Sequence, residues 1–122
     1  MPREDTLTRF IQTVESGAHD RACEDFYTVD STMQENGRPP RIGRAAHVAN
    51  ERRVLARARS VESVCVRPVF VCGDFVVIRW KFHFDWLNGT CTDIEELAYQ
   101  RWEGERIAQE TFFYDPAQLQ EK

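Results

Sequence analysis

The sequence predicts an α+β fold, with helices first and an antiparallel sheet after them. Three observations carry that reading. Apolar residues recur at helical spacing in the first half of the chain, and from about residue 60 they recur at every second position. The run Phe75-Val76-Val77-Ile78-Arg79-Trp80-Lys81-Phe82-His83-Phe84-Asp85-Trp86 places Val76, Ile78, Trp80, Phe82, Phe84 and Trp86 on one strand face, and Arg79, Lys81, His83 and Asp85 on the other. Turn signals at Cys72-Gly73-Asp74, Leu87-Asn88-Gly89 and Gly104-Glu105 divide the second half into consecutive strands, which is the pattern of a meander.

The elements follow in order. Leu7, Phe10, Ile11 and Val14 stand at i, i+3, i+4 and i+7, the stripe of a helix buried on one side. Gly17 ends it, where positive φ is commonly needed. A second helix is expected from about Asp20 to Tyr27, with Ala22, Cys23 and Phe26 inward. The segment Asp30-Ser31-Thr32-Met33-Gln34-Glu35 reads as a short edge strand, and Pro39-Pro40 breaks regular structure after it.

Arg44 to Arg59 contains neither Gly nor Pro and predicts a third helix. Its apolar stripe would be Ala45, Val48, Ala49, Leu55 and Ala56. Its arginines would be solvated, with salt-bridge partners such as Glu51. Val61 to Val71 is a strand in which Pro68 indicates an edge or a bulge. The central strand ends at Trp86, another runs from Thr90 to Glu103, and a last one runs from Arg106 to Asp115, stopped by Pro116.

At 122 residues the chain is expected to form a single domain, 1–122. With 42% hydrophobic and 30% charged residues it has the balance of an ordered globular chain. A net charge of −4 offers no electrostatic case for a nucleic acid or an anionic membrane as partner. Residues 1–6 lack the apolar segment of a signal peptide, and no run has membrane-spanning length. Cys23, Cys65, Cys72 and Cys91 show neither Cys-x-x-Cys pairing nor clustered His. They read as buried thiols in a reducing compartment, so a cytoplasmic protein with no metal and no cofactor is expected.

Two helices with Gly17 after the first, followed by Phe26-Tyr27-Thr28-Val29-Asp30-Ser31-Thr32-Met33-Gln34-Glu35, resemble the opening of SnoaL-like proteins. Trp102-Glu103-Gly104-Glu105-Arg106-Ile107 and Glu110-Thr111-Phe112-Phe113-Tyr114-Asp115-Pro116 resemble their last hairpin. These proteins belong to the superfamily with the cone-shaped fold of nuclear transport factor two, which includes ketosteroid isomerases. The resemblance implies three N-terminal helices packed on a curved, mainly antiparallel sheet, and a pocket inside the cone for a small apolar molecule. It also implies a homodimer through the outer sheet face.

Ketosteroid isomerases use an Asp base with an oxyanion hole made of a Tyr and a protonated Asp. The resemblance places the base at Glu35, the Tyr at Phe10 and the protonated Asp at Ala98, so the base is kept and both donors are absent. The expected pocket residues are Phe10, Tyr27, Met33, Trp80, Phe82, Glu96, Ala98, Gln100 and Trp102. Strand parity leaves a choice. Either Ile94, Glu96, Ala98, Gln100 and Trp102 face inward, or Glu95, Leu97, Tyr99 and Arg101 do. His83 belongs to the outer face, His47 stands on the third helix near the mouth, and Tyr27 and Tyr114 could supply phenol donors. For Glu35 an exposed salt bridge to Arg38 or Arg41 is the alternative to a catalytic role. Two functions remain open: a cyclase- or isomerase-like enzyme using Glu35 as base, and a non-catalytic ligand-binding or dimerisation module.

Overall fold

A computed structural model describes all 122 residues. Helices α1 (Glu4–Glu15), α2 (His19–Phe26) and α3 (Arg44–Arg57) are followed or interleaved by strands β1 (Tyr27–Glu35), β2 (Arg41–Ile42), β3 (Ala58–Cys72), β4 (Phe75–Trp86), β5 (Cys91–Glu103) and β6 (Arg106–Phe113). A short 3-10 turn (Pro116–Leu119) follows the last strand. The six strands form one curved open sheet in the order β2-β1-β6-β5-β4-β3. All neighbours are antiparallel except β1 and β6, which run parallel. No helix is long and apolar enough to cross a membrane.

The expected alternation fixes the central strand. Val76, Ile78, Trp80, Phe84 and Trp86 are buried, and Phe82 is partly so. Val76, Ile78 and Trp80 meet Phe10, Ile11 and Val14 of α1 and Ala22, Cys23 and Phe26 of α2 in one core, with Phe82 packed against it. Phe10 sits at its centre, edge-on to Phe26, Tyr27 and Trp102. Gly17 has φ +88°, as a helix-ending residue needs. A Cβ there would also stand 3.3 Å from Val61 Cγ1, so the close approach of helix and strand is a second reason for glycine.

Four expectations are corrected. The strand ending at Glu35 is not an edge, because β2 pairs on one side of it and β6 on the other. The helix over 44–59 ends at Arg57, and Ala58 already belongs to β3. Its inward face is also different: Ala45, Ala49 and Ala56 are exposed, and His47, Val48, Asn50, Glu51 and Val54 face inward. That face carries polar groups because it borders a cavity, so counting apolar residues could not find it. Finally, β6 ends at Phe113, and Pro116 opens a 3-10 turn capped by the Asp115 side chain rather than merely stopping a strand. Pro68 lies where the β3–β4 register shifts, on an edge strand, as its ring requires.

Candidate functional site

The concave side of the sheet and the three helices enclose a cavity of about 390 Å³, within the range of small-molecule sites. Its inner end is made by Phe10, Tyr27 and Glu110, all buried. Exposed Arg57, Leu119 and Glu121 mark its mouth. Along one wall Trp80 stacks on Phe82 and Phe84 stacks on Trp86, so alternate residues of β4 make a ladder of rings.

The β4–β5 register pairs Trp80 with Glu96, Ile78 with Ala98 and Val76 with Gln100. Parity is therefore settled: Glu96 faces inward, and Glu95 faces outward, where it pairs with Arg79. Of the residues expected in the pocket, Phe10, Tyr27, Met33, Glu35, Trp80, Phe82 and Glu96 line the cavity. Ala98, Gln100 and Trp102 are buried but lie behind its wall. His47 is not near the mouth; it is fully buried, with Nε2 donating to the Ser31 carbonyl at 3.1 Å. His83 lies on the outer face between Asp93 and Asp85.

Gln100 and Trp102 still shape the site, from behind. Trp102 Nε1 donates to Gln100 Oε1 at 3.0 Å, which turns the amide so that its Nε2 donates to Glu110 Oε2 at 2.6 Å. The Tyr27 hydroxyl donates to the other oxygen of Glu110. A carboxyl that accepts two such bonds is held in one orientation and favoured as an anion. Burial works the other way and is larger, and Glu110 is pushed up to about 7.

Two further carboxyls line the cavity with no hydrogen bond. Glu96, beside Trp80, is pushed up to about 8 by burial, reinforced by the negative charge of Glu110. Glu51 is pushed up to about 7 by burial although the Arg41 guanidinium pulls it down. Its side chain is 21% exposed, but the space it meets is the cavity rather than bulk solvent. His19 is lowered to about 4 by burial and shares a 2.7 Å hydrogen bond with Ser63, so it lines the cavity as a neutral ring. Glu35 forms no ion pair with Arg38 or Arg41. Its Oε1 accepts a 2.7 Å hydrogen bond from the Tyr114 hydroxyl, and its Oε2 is unbonded.

Sequence reading missed Glu110, Glu51, His19 and Arg41. Glu110 had a signal: Ala108, Glu110 and Phe112 alternate with Gln109, Thr111 and Phe113, so one acid shares a face with two apolar residues. For Glu51 the signal was its spacing from His47 and Val54, four and three positions away on one helix face. Arg41 sits on a two-residue strand too short to show a pattern.

No protein-family model and no curated protein matches the chain. Solved structures do. A hypothetical protein with a ketosteroid isomerase-like fold from Catenulispora acidiphila DSM 44928, in complex with trimethylamine, is 17% identical with TM-score 0.78, over 95% of this chain and 89% of that one. A nuclear-transport-factor-two-like protein of unknown function from Burkholderia pseudomallei K96243 is 12% identical with TM-score 0.76, over 93% and 90%. A putative SnoaL-like polyketide cyclase from Jannaschia sp. CCS1 is 13% identical with TM-score 0.73, over 92% and 87%. Likeness at these identities is a likeness of fold: the chain has the ketosteroid isomerase-like, nuclear-transport-factor-two-like fold.

Proposed function

We propose that the cone binds a small, largely apolar ketone and moves a proton at the carbon next to its carbonyl, as an isomerase or a cyclase does. The observation that carries this reading is Glu96, a carboxyl without a partner, aimed into an apolar cavity and held protonated at neutral pH. A neutral acid there donates a hydrogen bond to a carbonyl oxygen and stabilises the enolate that forms. It stands one pleat along β5 from Ala98, so it takes over a role that the resemblance had left empty. Glu35 is the base: Tyr114 holds one of its oxygens, and the other is free to take the proton. Return of that proton to a different carbon completes an isomerisation. Attack of the enolate on a second carbonyl, with the proton passed to the new alkoxide, closes a ring.

The Catenulispora protein of this fold, in complex with trimethylamine, supports the uptake of small molecules by such a chain. A second copy of the chain is the partner that fits the outer sheet face. Phe70, Phe75, Leu97, Tyr99 and Phe113 are exposed there, and strand pairing sets them in neighbouring rows.

The test is deuterium exchange at the α-carbon of a panel of enolisable aryl ketones, followed by proton NMR. Wild-type protein should exceed the buffer rate, and Glu96→Ala and Glu35→Gln should each lower the excess by tenfold or more. Ketones that bind without any faster exchange would sink the catalytic reading. That result would leave a non-catalytic ligand-binding module, which the tying of Glu110 to Tyr27 and Gln100 would then explain.

A further inference from the structure

Two arginines line the cavity, and only one is neutralised. Arg57, at the mouth, lies over the Trp86 ring at 4.8 Å and pairs with Glu121 at 3.1 Å. Arg41 has no carboxylate within ion-pair distance. Its Nε donates to His47 Nδ1 at 3.4 Å, its Nη2 points to Met33 Sδ at 3.5 Å, and its Nη1 makes no hydrogen bond. Both partners are uncharged. The His47 tautomer is set from behind, because Nε2–H is used on the Ser31 carbonyl and the lone pair of Nδ1 is left to face Arg41. Burial and the adjacent guanidinium both keep that ring neutral.

The backbone explains why the guanidinium turns inward. Arg41 is paired with Met33, whose side chain is in the core, while its neighbour Ile42 is 68% exposed on the opposite face. A charged group braced by uncharged groups at a cavity wall is oriented by them without being neutralised by them. A planar fork held in this way is suited to a planar anion.

We propose that Arg41 anchors a carboxylate on the ligand, so that the cone selects small ketones that also carry an acid group. This rests on the reading of the cone as a ligand site and names the class of molecule it takes. The acids around Arg41 leave room for an anion: burial raises Glu96 to about 8 and Glu51 and Glu110 to about 7, so all three are partly or wholly protonated near neutral pH, and Glu35 is turned to the Tyr114 hydroxyl and forms no ion pair with Arg41. Arg41 and Glu96 stand on β2 and β5, three strand spacings apart, or about 14 Å along a flat sheet. Curvature and the reach of both side chains shorten that span, so carboxylate and carbonyl should lie at opposite ends of a compact ligand.

The experiment is calorimetric or NMR titration of wild-type protein with 3-benzoylpropionate, 4-benzoylbutyrate, their methyl esters and propiophenone. The acids should bind at least tenfold more tightly than their esters. Arg41→Met and Arg41→Gln, checked for folding by circular dichroism, should bring the acids to the level of the esters and change ester affinity less than about twofold. Esters binding wild type as well as the acids do would overturn the proposal without any variant, and so would an acid preference that survives both substitutions. In those cases binding of the neutral ketones leaves the cone a ligand site. Failure of acids, esters and propiophenone alike to bind would overturn that underlying reading, and the role of Arg41 with it.

Discussion

A carboxyl with nothing to bond to stays in an apolar wall only while it keeps its proton. Glu96 is in that position, and its titration is therefore tied to folding. It is raised to about 8 in the folded protein, against an ordinary value near 4.3 in the unfolded chain. Between those values the folded state holds a proton that the unfolded state has released, so stability falls as pH rises from about 4.5 to 8. Glu51 and Glu110, both raised to about 7, act in the same direction. His19, lowered to about 4, opposes them by losing stability as pH falls below about 6.5. His47, also lowered by burial, opposes them in the same way, but above about pH 6.5 neither histidine bears on the balance, and melting temperature should rise as pH is lowered from 8 towards 6.5. Glu96→Gln should stabilise the protein at pH 8.5 by roughly 1–2 kcal/mol, with the gain shrinking towards pH 4.5. Equal gains at both ends, in paired thermal melts, would mean that Glu96 is ionised in the fold. At this scale the sequence was legible up to parity: Glu95 and Glu96 are one residue apart, and only the pairing of Trp80 with Glu96 separates them.

At the scale of elements, legibility followed the polarity of the buried face. Where that face is mainly apolar, as in α1 and β4, the spacing of Phe10, Ile11 and Val14 or of Val76, Ile78 and Trp80 named most of the inward residues directly, with Thr6 of α1 the one polar member. On α3 the inward residues include His47, Asn50 and Glu51, so the apolar stripe pointed to alanines that face solvent. Two substitutions separate the readings. Ala49→Lys should change stability by no more than about 0.5 kcal/mol, because Ala49 is exposed. Ile78→Ala, in the middle of β4 with no exposed surface, should cost about 2–5 kcal/mol in urea denaturation. A large loss from Ala49→Lys would restore the alanine face as the packed one.

Over the whole molecule, how the first strand joins the sheet was not legible in advance, because pairing across most of the chain leaves no local mark. The sequence did anticipate an uncovered sheet face, since three helices can cover only one side. Leu97 and Tyr99 lie next to Arg79 and Val77 in the middle of that face. If a second copy covers it, light scattering of the wild type should give twice 14.3 kDa, and Leu97→Lys with Tyr99→Lys should give the monomer mass with the fold retained. A wild-type monomer at micromolar concentration would leave the exposed rings without that explanation.

The parallel pairing of β1 with β6 has a consequence in time. Strands β3 to β6 are joined by tight turns and can zip together as neighbouring hairpins. Tyr27, however, pairs with Ile107, so β1 has no docking edge until the final strand is in place. Closing so long a loop is slow to nucleate, and sheets dominated by such distant contacts fold in milliseconds to seconds. Pulse-labelled hydrogen exchange during refolding should therefore protect the amides of β4 and β5 before those of β1. On the ribosome, Tyr27 to Glu35 would emerge early and wait, unpaired on that side, until the residues from Arg106 onward had left the tunnel.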